Sequence, residues 1–211
     1  RQIGAGGIVV RNANAGEAMQ TLDGETRKLT PADMVIASDA GPVALAGIMG
    51  GQASKVQADT SGLLLELATF DAATVRRTSA RLGLRSDSSA RFEKSLDPTL
   101  PIKAAGHMLR LLQELQPSLV LPAGVSDAGK WTDPACQVDV RPARVRAVLG
   151  LSEDVLPDAR IEAMLTSVGF GVAAVGDHWT ISVPSDRSTK DVGIEEDLIE
   201  EVGRMFRYDR I

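Results

Sequence analysis

The chain has 211 residues, 44% of them hydrophobic but only 3% aromatic, so its core must be aliphatic, in one large domain or two small ones. A net charge of −5 excludes a general nucleic-acid coat and leaves any RNA contact to a local basic patch. The single cysteine, Cys136, rules out an internal disulfide, and with no run of about 18 apolar residues no membrane span is expected.

Arg1-Gln2-Ile3-Gly4 carries neither an initiator Met nor a signal pattern, and the chain stops at Tyr208-Asp209-Arg210-Ile211 directly after an amphipathic helix; the expectation is an excised piece of a longer protein. Gly7–Val10 reads as a strand. Asp23-Gly24, between Leu22 and Leu29, predicts a hairpin. Met34–Ala37, Val43–Ile48 and Leu63–Leu67 are further predicted strands. The pattern then changes. Asp71 caps a helix over Ala72–Leu82 that Gly83 closes. A longer helix runs from about Thr99 to Leu115, with Leu100, Ala104, His107, Met108, Leu111 and Leu115 on one stripe, and Pro117 stops it.

Prolines and glycines over 118–135 mark a linker. Beyond it come a strand at Val138–Val140 and a helix opened by Arg141-Pro142 and ended by Gly150. A second helix starts at Pro157-Asp158, a hairpin turns at Gly176-Asp177, and a closing helix spans about Ile194–Phe206. Two helices, a hairpin and a third helix predict a winged-helix-like module. The fold class is α+β: a partial mixed-sheet domain over 1–117, the linker 118–135, and the winged-helix-like domain over 136–211.

Five constellations could carry chemistry. Gly47-Ile48-Met49-Gly50-Gly51 is followed by Gln52-Ala53, where a phosphate loop needs Lys-Ser/Thr, so a Walker loop is excluded; a tight turn is the plain alternative. Glu66 sits alone in an aliphatic run. Burying even a neutral polar group without a partner costs roughly 2–7 kcal/mol, so Glu66 either faces water from an edge strand or lines a small pocket where it binds an ammonium group. Arg76, Arg77, Arg81, Arg85, Arg91 and Lys94 form either a solvated face paired to Asp87, Glu93 and Asp97 or a set of phosphate contacts. Asp191, Asp197, Glu200 and Glu201, with no His or Cys nearby, suit a hard oxygen-seeking ion such as Mg²⁺. Equally, they are acids favoured near a helix N-terminus and paired with Arg204. His107 and His178 are far apart and support no nucleophilic triad, and Cys136 reads as inert.

Taken together, Pro42–Gly51, Leu65-Glu66, Phe70-Asp71, Arg76–Ser79, Arg81–Arg85, Arg91–Glu93 and Asp97-Pro98 resemble the β subunit of bacterial phenylalanyl-tRNA synthetases. So do Val183–Arg187, Glu196–Val202 and Tyr208-Asp209, and the likeness runs in order over the whole chain. The resemblance implies the later part of the B3/B4 editing domain over 1–117 and the B5 domain over 136–211. It implies a cytoplasmic α2β2 ligase that uses ATP, bound outside this segment, to attach phenylalanine to tRNA(Phe). The partners it implies are the synthetase α subunit and tRNA(Phe), and the reaction it implies here is hydrolysis of mischarged Tyr-tRNA(Phe).

By position it places Ala46, Gly47, Gly50 and Glu66 in the editing pocket and Asp191, Asp197, Glu200 and Glu201 at Mg²⁺, and no residue here in the aminoacylation chemistry. Small residues at 46, 47 and 50 would leave room for a ring. A site that hydrogen-bonds a hydroxyl rejects the analogue lacking it by ~10⁴–10⁵-fold. The family also uses a histidine upstream of Arg1, and Arg207 stands where the family more often has glycine. A stand-alone nucleic-acid-binding winged helix and a purely structural piece are the rival readings; the acidic last helix argues against the first.

Overall fold

The computed structural model describes residues 7–121 and 124–211. The chain divides into two units, one carrying the elements up to the long helix at Leu100–Leu115, the other those from Cys136 onward. Among the described residues no helix is long and apolar enough to cross a membrane.

In the first unit, β1 (Val9–Asn12), β4 (Met34–Ser38), β5 (Gly41–Leu45) and β6 (Met49–Gly50) form a sheet in that order. The small hairpin β2 (Ala18–Gln20) and β3 (Thr26–Lys28) turns at Asp23-Gly24 as the sequence predicts. Where a mixed sheet is expected, every ladder among the described strands is antiparallel, and the short links β4–β5 and β5–β6 could not form a parallel crossover. Val35 is fully buried, and Ala37, Leu45, Ile48, Leu29 and Met19 join it in an aliphatic core that receives Val75 and Leu84 from the helical side.

The caps follow the sequence. Asp71 accepts from the Thr74 N–H at 2.8 Å to open α1 (Ala72–Leu82), and Gly83, at φ +59°, closes it. Ser86 then caps α2 (Asp87–Phe92).

Two expectations are corrected here. The predicted strand Val43–Ile48 ends at Leu45; Ala46–Ile48 reverse the chain, with Gly47 at φ +68°, and it returns as β6. The predicted strand Leu63–Leu67 is absent: residues 60–71 carry neither helix nor strand, and Leu63 is 68% exposed. A strand exists only with a ladder partner, and no described strand pairs with this run. The helix α3 (Leu100–Leu115) forms as predicted, but none of its residues is buried, so its apolar stripe lies open.

In the second unit, β7 (Cys136–Val140), β9 (His178–Val183) and β8 (Gly171–Val175) make an antiparallel sheet in that order. Pro142 begins α4 (Pro142–Leu149), and Gly150 at φ +67° ends it. α5 (Asp158–Ser167), the single-turn α6 (Ser185–Ser188) and α7 (Glu195–Phe206) complete the module. Ile161, Leu165, Phe170, Ile181, Leu198 and Val202 lie at its centre, essentially without solvent contact. Both units are α+β, and the second has the helix–helix–hairpin–helix order that a winged-helix-like module requires.

Candidate functional site

The turn between β5 and β6 is held from three sides. Ser86 Oγ donates to the Ile48 carbonyl at 2.6 Å, and Ser88 Oγ donates to the Gly47 carbonyl at 3.0 Å, so the start of α2 is pinned to the turn. The rings of Phe70 and Phe92 meet at a centroid distance of 5.3 Å, and a Cβ placed on Gly47 would lie 3.0 Å from Phe70 Cδ2 and 3.1 Å from Phe92 Cβ. Gly51 donates to the Val43 carbonyl at 2.7 Å, which leaves no room for a side chain there. The glycines thus serve close approach by the protein's own groups.

The structure joins three of the four expected pocket residues through the chain itself: Ala46 and Gly47 are buried in the turn, and Gly50 follows on β6. The space that small residues leave is filled by Phe70 and Phe92 at Gly47, and a Cβ on Gly50 would meet Leu22 Cδ1 at 3.2 Å. Glu66 lies in the segment without regular structure and is exposed. Surrounding protein pushes its carboxyl above the usual range through desolvation, with no compensating donor among the described residues. Exposure and desolvation pull in opposite senses, and exposure decides: water reaches the group and screens it, which limits the rise.

The acidic set is arranged otherwise than its spacing suggests. Arg187 is ion-paired to Asp191, and its Nη2 donates to Glu201 Oε1 at 2.9 Å; Arg204 holds the other oxygen of Glu201 at 2.6 Å. Arg187 also lies over the Phe170 ring, 5.6 Å from its centroid. Asp197 Oδ2 accepts from the Gly193 and Ile194 N–H groups at 2.8 and 3.1 Å, an anchor at the positive end of α7. Glu200 is exposed. Mg²⁺ needs several oxygens converging on one point, and no group of three or more His, Cys, Asp or Glu side chains among the described residues is placed to hold a metal. As arranged, Asp191, Asp197, Glu200 and Glu201 do not fit Mg²⁺, because Arg187 and Arg204 between them pair with Asp191 and Glu201, and Asp197 is engaged by backbone N–H groups.

The basic cluster also divides. Arg81 closes on the buried Asp33, and Arg85 pairs with Glu93 at 3.2 Å. Arg91 Nη1 donates to the Asp87 carbonyl at 2.9 Å, and Arg77 Nε to the Ala73 carbonyl at 3.2 Å. Ser86, Ser88, Asp33 and Arg187 are the residues that sequence reasoning missed. Only Ser86 carried a signal, as a capping residue ahead of Asp87.

The B3/4 domain sequence model matches residues 1–117, and that of the tRNA synthetase B5 domain matches residues 138–208. The chain belongs to the B3/4 domain family. The B3/4 chain is 41% identical over 211 residues to the phenylalanine–tRNA ligase β subunit of Staphylococcus haemolyticus, covering 99% of this chain and 25% of that protein. It is 38% identical over 205 residues to that of Solibacter usitatus, covering 97% and 26%. The chain therefore spans about a quarter of the length of the curated relatives it matches. A solved N-terminal fragment of the phenylalanyl-tRNA synthetase β subunit from Pyrococcus horikoshii is alike with a TM-score of 0.46 and 15% identity, over 94% of this chain and 56% of that one. The two domain models and the curated relatives bear out the resemblance read from the motifs of this B3/4 chain.

Proposed function

We propose that this chain is a β-subunit segment of a cytoplasmic phenylalanine–tRNA ligase, and that its first unit supplies one wall of a proofreading site for Tyr-tRNA(Phe). The observation that carries this reading is the buried turn Ala46–Ile48, pinned by Ser86 and Ser88, beside relatives at about 40% identity over nearly the whole chain. A site that must exclude one aromatic amino acid and accept another needs a rigid wall, because discrimination is lost when the wall yields. The role of Glu66 is to accept a hydrogen bond from the hydroxyl or the ammonium group of the misattached residue. No activated nucleophile is assigned; hydrolysis relies on holding a water against the ester. The assembly around this segment contains the synthetase α subunit, which carries the aminoacylation chemistry with ATP, and tRNA(Phe) is the shared substrate. No step is routed through Mg²⁺.

The test uses the complete α2β2 enzyme. Glu66→Gln is expected to slow hydrolysis of Tyr-tRNA(Phe) while phenylalanylation stays at the wild-type rate. Unchanged hydrolysis would remove Glu66 from the site, and equal loss of both activities would indicate a purely structural residue.

A further inference from the structure

The arginines of α1 border a cleft that the proofreading reading does not use. Asn12, Asp33, Thr74, Arg77, Thr78 and Arg81 line an opening of about 290 Å³ between α1 and the start of β4. Its floor is neutral. Asp33 is 1% exposed, and its Oδ2 accepts from the Thr30 N–H at 2.7 Å, the Thr30 hydroxyl at 3.0 Å and Arg81; its Oδ1 accepts from Thr78 Oγ1 at 2.9 Å. Burial pushes this carboxyl up, but the bonds from Thr30, Thr78 and Arg81 outweigh burial and hold it below the usual range. Both oxygens of Asp33 are thus engaged, and the Arg81 charge is spent on it.

The mouth is different. Arg77 fixes its stem by donating from Nε to the Ala73 carbonyl at 3.2 Å, and among the described residues its terminal nitrogens meet no carboxylate. Asn12 brings an exposed side-chain amide to the same opening, with no hydrogen bond among the described residues. The Thr74 and Thr78 hydroxyls already donate to Asp71 and Asp33. The donors left over are the two ends of a guanidinium fork and an amide, beside a floor whose own charges cancel. That set accepts no cation. It matches the oxygens of a tetrahedral oxyanion, which a planar guanidinium binds through two parallel hydrogen bonds.

We propose that this cleft binds a phosphate group, seated on the terminal nitrogens of Arg77 and the amide of Asn12. The phosphate is either a free anion or one unit of an RNA backbone. The assignment rests on the cleft and is independent of the role of Glu66.

The test titrates inorganic phosphate, and separately a short single-stranded uridine oligonucleotide, into the 211-residue chain. The Arg77 Nε–H resonance and calorimetry are followed together. The Nε–H signal is expected to shift on phosphate addition. Arg77→Gln and Asn12→Asp should each weaken binding by at least about tenfold, since each removes at least one hydrogen bond to a charged group. Arg76→Gln, outside the cleft, should not. Oligonucleotide binding whose salt slope falls by about one in Arg77→Gln assigns the phosphate to RNA; phosphate binding without it assigns a small anion. An Nε–H signal that ignores both ligands, or affinities that both cleft variants leave intact, overturns the proposal.

Discussion

Arg187 and Glu201, fourteen positions apart, face each other at 2.9 Å and lock α6 onto α7. Glu201 is only 8% exposed, and a second guanidinium, that of Arg204, takes its other oxygen. Burial alone would raise the Glu201 carboxyl; the bonds from Arg187 and then Arg204 more than reverse this and hold it below its usual range. A carboxyl depressed in the folded state contributes stability that is complete above its unfolded value, about 4.3, and is lost as pH falls through its lower folded value. Glu201→Gln is therefore expected to lower stability by about 2–3 kcal/mol at pH 7, less than a fully buried pair loses, because Arg187 is partly exposed. Urea unfolding at pH 7 and at pH 3 checks it: the gap between variant and wild type should shrink at the lower pH. A gap independent of pH would assign the loss to packing.

Magnesium is expected to leave the melting temperature of the chain unchanged. Arg187 holds Asp191 and Glu201, and Asp197 is engaged by two backbone N–H groups. A ligand present at a hundred times its dissociation constant would add about 2.7 kcal/mol, which a thermal scan with and without millimolar MgCl₂ resolves. A rise that disappears in Asp197→Ala would show that the ion binds at Asp197 and would overturn this expectation.

Gly47→Ala is expected to destabilise the first unit by about 2–4 kcal/mol, from a left-handed backbone and an overfilled contact together. The backbone stands at φ +68°, and the new methyl would meet both Phe70 and Phe92. Chemical denaturation measures the loss. A near-neutral result would mean that the two rings part easily and the turn is softer than its contacts imply.

Arg207→Gly should have the opposite sign. Arg207 sits at φ +78° and ψ 112°, a region that costs a side chain on the order of 1–3 kcal/mol. Glycine relieves that strain but gives back part through its larger unfolded-state entropy, so a net gain of about 1 kcal/mol is expected. The Arg207–Asp209 pair, at 3.2 Å on an exposed surface, is too weak to cancel it. A melting temperature that fell would mean the pair matters more than the backbone.

What the sequence revealed was what is decided locally. The ends of α1 were legible because Asp71 and Gly83 act on their own neighbours, and the Asp23-Gly24 hairpin because its turn selects its own register. The run Leu63–Leu67 has the composition of a strand, but a ladder needs a partner, and composition cannot supply one. The stripe on α3 was read correctly as a pattern; a pattern says which face can be covered and not whether anything covers it. The acids Asp191, Asp197, Glu200 and Glu201 were visible by spacing; Arg187 reaches Asp191 from four positions away in the chain, but it is the fold that brings it to Glu201 on α7. The pocket residues Ala46 and Gly47 were expected inside a strand and lie in a turn, and Phe70 and Phe92, which close on Gly47, approach from distant positions in the chain.

The stretch 60–71, without a helix or a ladder of its own, is open to proteolytic cleavage. A single nick there would separate the sheet from α1 and α2 in covalent terms only. Thr78 and Arg81 would still grip Asp33, and Ser86 and Ser88 would still hold the carbonyls of Ile48 and Gly47. The two pieces should therefore migrate together on a sizing column and come apart only in denaturant, so a clipped preparation would pass for an intact one until it is run under denaturing conditions.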